Sequence, residues 1–228
     1  MILVHENLPE EASKIKKVVK EVFNIESILI NANLDRFFIP IQEFNGYWSH
    51  PSEKGYELIV GLKNTVLIIT PRDIYSDNKS KEDDFVFGHD ESENNLMIVS
   101  TARMKRHDNQ PSNSLEVPLD LYLKRIVYTS VHELGHSIVR ADHYKEAIWV
   151  NARTGHQLKL GEHCTDNTCV MYEIVDIKAP PLSEGYMLLG EEKKFDTGMD
   201  ESLKRLNQDW FCDICRKAFK IDNMYKQK

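Results

Sequence analysis

The chain has 228 residues, 41% of them hydrophobic and 29% charged, which suits one domain, or one domain built from two subdomains, around a single core. Its longest uninterrupted apolar runs, Val66 to Ile69 among them, are four residues, and that excludes a transmembrane helix. With 29 basic and 36 acidic side chains the net charge is −7, so the surface should repel phosphate backbones, and neither nucleic acid nor a membrane is an expected partner.

The opening MILVHENLPEEASKIKK passes from an apolar tetrad straight into charge with no small-residue cleavage site, so a reducing, cytoplasmic setting is expected. Ile2 to Val4 reads as a short strand. Ala12, Ile15, Val18, Val19, Val22 and Phe23 then recur at helical spacing and predict an amphipathic helix with a lysine-rich outer face. Ile28 to Ile30 reads as a second strand, and Thr65 to Thr70 as a third, buried on both sides because it lacks alternation. Between them Phe44 to Gly55, rich in Gly, Pro and aromatics, reads as loop. Phe85 to Phe87 and Leu96 to Thr101 are further strand candidates beyond the charged, turn-rich stretch Tyr75 to Asp84. From Leu119 a helical period runs through Leu121, Ile126, Val127, Val131, Leu134 and Ile138, with Pro118 in the first turn. After Val139 the pattern decays into the polar segment from Arg140 to Gly161, and the last 65 or so residues are short, irregular segments that carry the cysteines and would benefit from a metal staple. A boundary near residues 139 and 140 is therefore expected, with an N-terminal sheet and helix subdomain (1–139) and a C-terminal one (140–228) that holds the 140–161 insertion.

The long helix carries His132-Glu133-Leu134-Gly135-His136. Two imidazoles four residues apart project from one helix face and can grip one zinc ion, with a carboxylate beside them. That is the equipment of a zinc hydrolase: neutral nitrogens hold the metal, the metal brings a bound water to a pKa of roughly 7, and Glu133 takes the proton. A catalytic zinc usually has a third protein ligand. His143 would lie about 10 Å along the axis from His136 if the helix continued. Asp142 requires a sharp turn where the β-branched Val139 disfavours a left-handed conformation. His163, Glu146 and Glu162 lie further on.

Four cysteines spaced C-x4-C and C-x2-C (Cys164, Cys169, Cys212 and Cys215) match the ligand pattern of a tetrahedral structural zinc and leave no thiol over. In a reducing compartment disulfides are the weaker reading.

The run from His163 and Cys164 through Cys169 and Met171, with Cys212 and Cys215 beyond it, resembles the archaemetzincin signature H-E-x-x-H-x-x-G-x-x-H-C, C-x-M, C-x-x-C. The upstream segments Thr70 to Tyr75, Phe85 to Gly88 and Val99 to Arg103 are similar in kind and order to that family's sheet region. The resemblance implies an α+β fold of metzincin type: a twisted mixed sheet with a backing helix and an active-site helix, plus a small irregular zinc-stapled C-terminal subdomain. It implies His132, His136 and His163 as catalytic zinc ligands, Glu133 as general base, Met171 as the methionine beneath the metal, and Cys164, Cys169, Cys212 and Cys215 as ligands of a second, structural zinc. Two departures stand out. Val139 occupies the glycine position with some twenty residues between the helix and His163, and the spacer before Cys212 is long. The snapalysins, a related group, place an aspartate where this chain has Asp142. The expected activity is zinc-dependent peptide hydrolysis by a monomer, with substrate laid along Phe85 to Gly88. The rival is a zinc-stabilised protein-interaction module.

Overall fold

The computed structural model describes residues 1–42, 45–60, 64–76, 85–107, 115–139, 141–178, 184–195 and 198–219. Contacts divide the chain into two units. One is formed by Met1–Arg106 with Leu115–Ser137, and the other takes in His107 and the chain from Ile138 onward.

The first unit opens with β1 (Ile2–His5), α1 (Pro9–Phe23) and β2 (Ile28–Asn31). α1 has Pro9 in its first turn, where the missing N–H costs nothing, and buries Ala12, Ile15, Val18, Val19 and Phe23. It stops because Asn24 takes a left-handed φ of 55° and its N–H closes on the Lys20 carbonyl. Next come β3 (Phe38–Ile41), β4 (Gly46–Pro51) and α2 (Glu53–Val60). β4 falls in, and α2 begins in, the stretch Phe44 to Gly55 expected as loop, of which Phe44 lies outside the described residues. Tyr47 and Trp48 suit a pleated surface, Pro51 sits at the strand's end, and the Ser52 hydroxyl accepts from the Gly55 N–H at 3.1 Å. The Pro and Gly here punctuate elements rather than abolish them.

β5 (Val66–Thr70), β6 (Ile74–Tyr75), β7 (Phe85–Val86), β8 (Gly88–Glu91) and β9 (Leu96–Ser100) complete two sheets. The larger has the order β2-β1-β5-β9-β8 and the smaller β3-β4-β6-β7. In the larger sheet β1, β2, β5 and β9 pair in parallel, and only β8, at the edge, is antiparallel. β5 and β9 are buried along their whole length, as unbroken apolar runs in a parallel sheet should be.

α3 (Leu119–Ile138) is the chain's longest described helix. Every residue from Arg125 to Gly135 is buried, a wider burial than the one-sided stripe its sequence period predicts. The fully buried Arg125 donates through Nη1 to the carbonyls of Met104 (2.8 Å) and Arg106 (2.6 Å), so its charge is dispersed onto backbone dipoles. The Tyr122 hydroxyl donates to the buried Glu11 of α1 at 2.9 Å.

In the second unit β10 (Lys145–Asn151), β11 (Gln157–His163), β12 (Gly185–Leu189) and β13 (Glu192–Lys194) form an antiparallel sheet of order β11-β10-β12-β13, followed by α4 (Met199–Arg205) and α5 (Asp213–Lys217). The polar segment that offered no periodicity is thus a β-hairpin. Its tip is shaped by Asn151, whose side-chain oxygen accepts from the N–H groups of Arg153 and Thr154, both at 3.0 Å, and by Gly155 at a φ of 69°. Ala147, Tyr172, Met187 and Leu189 pack as this sheet's core. The architecture is a mixed α+β fold, and among the described residues no helix is long and apolar enough to cross a membrane.

Candidate metal centres

His132, Glu133 and His136 all lie on the buried half of α3. His132 and Glu133 are 6% and 7% exposed, and His136 is half-buried. The two Nε2 atoms are 3.1 Å apart, with the rings edge to face at 81°. Two imidazole nitrogens on one tetrahedral zinc would be separated by roughly 3.3 Å, so this pair fits such an ion. Glu133 lies against the first residue of β8. A Cβ added at Gly88 would come within 2.6 Å of Glu133 Cγ and closer still to its carboxylate. Glycine is therefore required there for the carboxylate to keep its place.

α3 ends at Ile138, and Val139 leaves it in an isolated antiparallel bridge with Phe219, fully buried and without a positive φ. A β-branched residue suits that extended exit, which explains why no glycine is needed here. A turn closed by the Tyr144 N–H on the Ala141 carbonyl at 3.2 Å follows, leaving Asp142 exposed and His143 half-buried.

His163 ends β11 and is 2% exposed. Its Nδ1 donates to the Gly161 carbonyl at 3.2 Å, and its Nε2 meets the Glu173 carboxylate. The segment beyond it is closed on itself. The Cys164 N–H bonds the Met171 carbonyl at 2.9 Å, the Tyr172 N–H bonds the Cys169 carbonyl at 3.0 Å, and the Val170 N–H bonds the Trp210 carbonyl at 2.7 Å. The Met171 side chain is fully buried. Burial raises the Tyr172 hydroxyl above its ordinary pKa, which favours the neutral phenol.

All four cysteines are free and buried. Cys164 and Cys212 have their sulfurs 3.8 Å apart, the edge roughly expected of a tetrahedron with Zn–S bonds of about 2.3 Å. Two backbone N–H groups point at the cluster, from Asp166 to Cys164 Sγ and from Cys215 to Cys212 Sγ, both at 3.4 Å. Cys169 and Cys215 press against Cys164 and, with burial, push its thiol far up, whereas Cys169 accepts from Cys164 and Cys215 and is held well below the ordinary thiol value. A fifth donor was not expected in this place: His143 Nε2 lies 2.8 Å from Cys164 Sγ.

No protein-family model matches the sequence, and no curated protein matches it. Solved structures do. The archaemetzincin of Methanopyrus kandleri superposes with a TM-score of 0.54 at 20% identity, over 95% of this chain and 90% of that one. A zinc-dependent peptidase from Methanocorpusculum labreanum gives 0.57 at 18% identity over 95% and 98%. The archaemetzincin of Archaeoglobus fulgidus, solved with malonate, gives 0.53 at 18% identity over 96% and 99%. Likeness at these identities is a likeness of fold, and the fold of this chain is that of the archaemetzincins.

Proposed function

We propose that the protein is a zinc-dependent peptidase, with His132, His136 and His163 as the catalytic zinc ligands, Glu133 as general base, and a second, structural zinc in the cluster of Cys164, Cys169, Cys212 and Cys215. The observation that carries the reading is the pair of α3 imidazole nitrogens 3.1 Å apart with a carboxylate seated beside them against Gly88, in a fold shared with a structure described as a zinc-dependent peptidase. His163 is the better third donor because it is buried and its Nδ1 is engaged by a carbonyl, so the atom that would turn to a metal is Nε2, with the Glu173 carboxylate it now meets giving way. Asp142 is exposed.

When bound, zinc supplies a Lewis acid that acidifies water and polarises a peptide carbonyl. Glu133 accepts the water's proton and returns it to the departing amine. Its buried position keeps that proton from bulk solvent. An extended peptide would add to β8, the antiparallel edge of the larger sheet, because that strand begins at the residue touching Glu133. The contact of Gly88 with Glu133 centres the docking segment on Gly88–Glu91, continuing from the expected Phe85–Gly88, whose β7 residues form an edge of the smaller sheet. A monomer working in a reducing cytoplasm, where the free thiols persist, completes the reading.

Digestion of a peptide library with and without a chelator tests it, alongside Glu133→Gln. The amide keeps the shape but cannot accept a proton, so the rate should fall roughly 10²-fold or more with both metals retained. Cleavage by the variant at the parent rate would sink the assignment.

A further inference from the structure

The geometry points to His143 as the fourth ligand of the cysteine-site metal, making that site one imidazole and three sulfurs (Cys164, Cys212 and Cys215) with Cys169 beside it outside the ligand set; the inference rests on the two-metal reading above and replaces Cys169 by His143 in its second site. With Zn–S near 2.3 Å and Zn–N near 2.0 Å, a tetrahedral ion sets sulfur–sulfur edges of roughly 3.8 Å and sulfur–nitrogen edges of roughly 3.6 Å. The Cys164 and Cys212 sulfurs are 3.8 Å apart, and His143 Nε2 is 3.6 Å from both Cys212 Sγ and Cys215 Sγ. Only the 2.8 Å contact to Cys164 Sγ is shorter, a hydrogen bond that a metal would widen. All four donor atoms lie within 4.8 Å of one another.

The ring is held from its Nε2 side. Its Nδ1 is buried without a hydrogen-bond partner among the described residues, so the cluster itself sets the imidazole's direction. The chain's path supplies a role. His143 precedes the β10–β11 hairpin and Cys164 follows it, so one metal would clamp both ends of the insertion and tie the segment leaving the active helix to the thiolate site.

Cadmium NMR of the wild-type full chain, loaded with cadmium and carrying nitrogen-labelled histidine, tests this without reference to activity. The resonance in the thiolate range should show scalar coupling to one imidazole nitrogen. In His143→Ala that coupling should vanish and the line should move further toward the four-sulfur position as Cys169 takes the place. A thiolate-range resonance with no nitrogen coupling in the wild-type chain overturns the inference while leaving the two-metal reading intact. Absence of any thiolate-range resonance overturns both.

Discussion

Lys145 and His163 face each other as the first rung of the β10–β11 hairpin, so the residues between them leave and re-enter the fold at one place. The insertion that separates His163 from α3 in sequence is closed at its base in space. His163→Ala should therefore lose the histidine-site metal, whereas Asp142→Ala, at an exposed position, should retain it. Elemental analysis of both variants at one pH makes the comparison, since ligand protonation alone changes affinity. An empty site in Asp142→Ala with full occupancy in His163→Ala would reverse the assignment.

Gly88 should prove as sensitive as a catalytic residue although it has no side chain. Its missing Cβ is the space that the Glu133 carboxylate fills. Gly88→Ala must push that carboxylate aside or shift β8, and the proposed general base, moved out of reach, would lose part of the roughly 10²-fold such a group contributes. The expected outcome is a drop in kcat of about 10-fold or more with unchanged zinc content. An unchanged kcat would place the working carboxylate elsewhere.

The parts of the fold legible in the sequence are those whose pattern has one cause. β5 and β9 show as unbroken apolar runs because the parallel sheet buries both faces, and α1 shows because only one of its faces is buried. β4 and α2 were hidden by Gly, Pro and aromatics that mark element ends as readily as loops, and β10 by charges around Ala147 and Val150, its buried residues. The pentad on α3 was legible because helical spacing fixes it. His143 was not, because helical spacing carries it about 10 Å along the axis from His136 only if the helix continues, and the helix ends at Ile138. The C-x2-C and C-x4-C spacing announced a metal, but a ligand brought in by the base of a hairpin leaves no spacing to read.

Metal removal should proceed in two steps. Three imidazoles with an open position release zinc more readily than a buried thiolate cluster, so a mild chelator should abolish hydrolysis while about one of the two zinc ions stays bound. Stripping the remaining ion should lower Tm, because the unit from Ile138 onward closes its loops on the cysteines. A single-step loss of both metals with no intermediate stoichiometry would argue against two independent sites.

Acid should loosen the first unit at a definable place. The Glu6 carboxylate accepts from Arg72 Nη2 at 2.5 Å, from Arg72 Nε at 3.0 Å and from the Thr70 hydroxyl at 2.9 Å, at the point where β1 runs beside β5. Burial alone would raise its pKa, but the hydrogen bonds from Arg72 and Thr70 and the charge of Arg72 outweigh burial and hold it below the ordinary 4.5. A carboxyl depressed in the folded state stabilises the fold fully above its unfolded value, and that contribution fades as pH falls through the folded one. Stability should thus decline below pH 4.5 with a component that Glu6→Gln removes. The variant should be less stable at neutral pH by about 1 kcal/mol, because the pair is only partly buried and Arg72 keeps Asp35 as a partner at 2.6 Å, and its stability should fall less steeply with acid. Parallel acid profiles for parent and variant in chemical denaturation would show that Glu6 titrates alike in both states and that this ion pair has no part in acid unfolding.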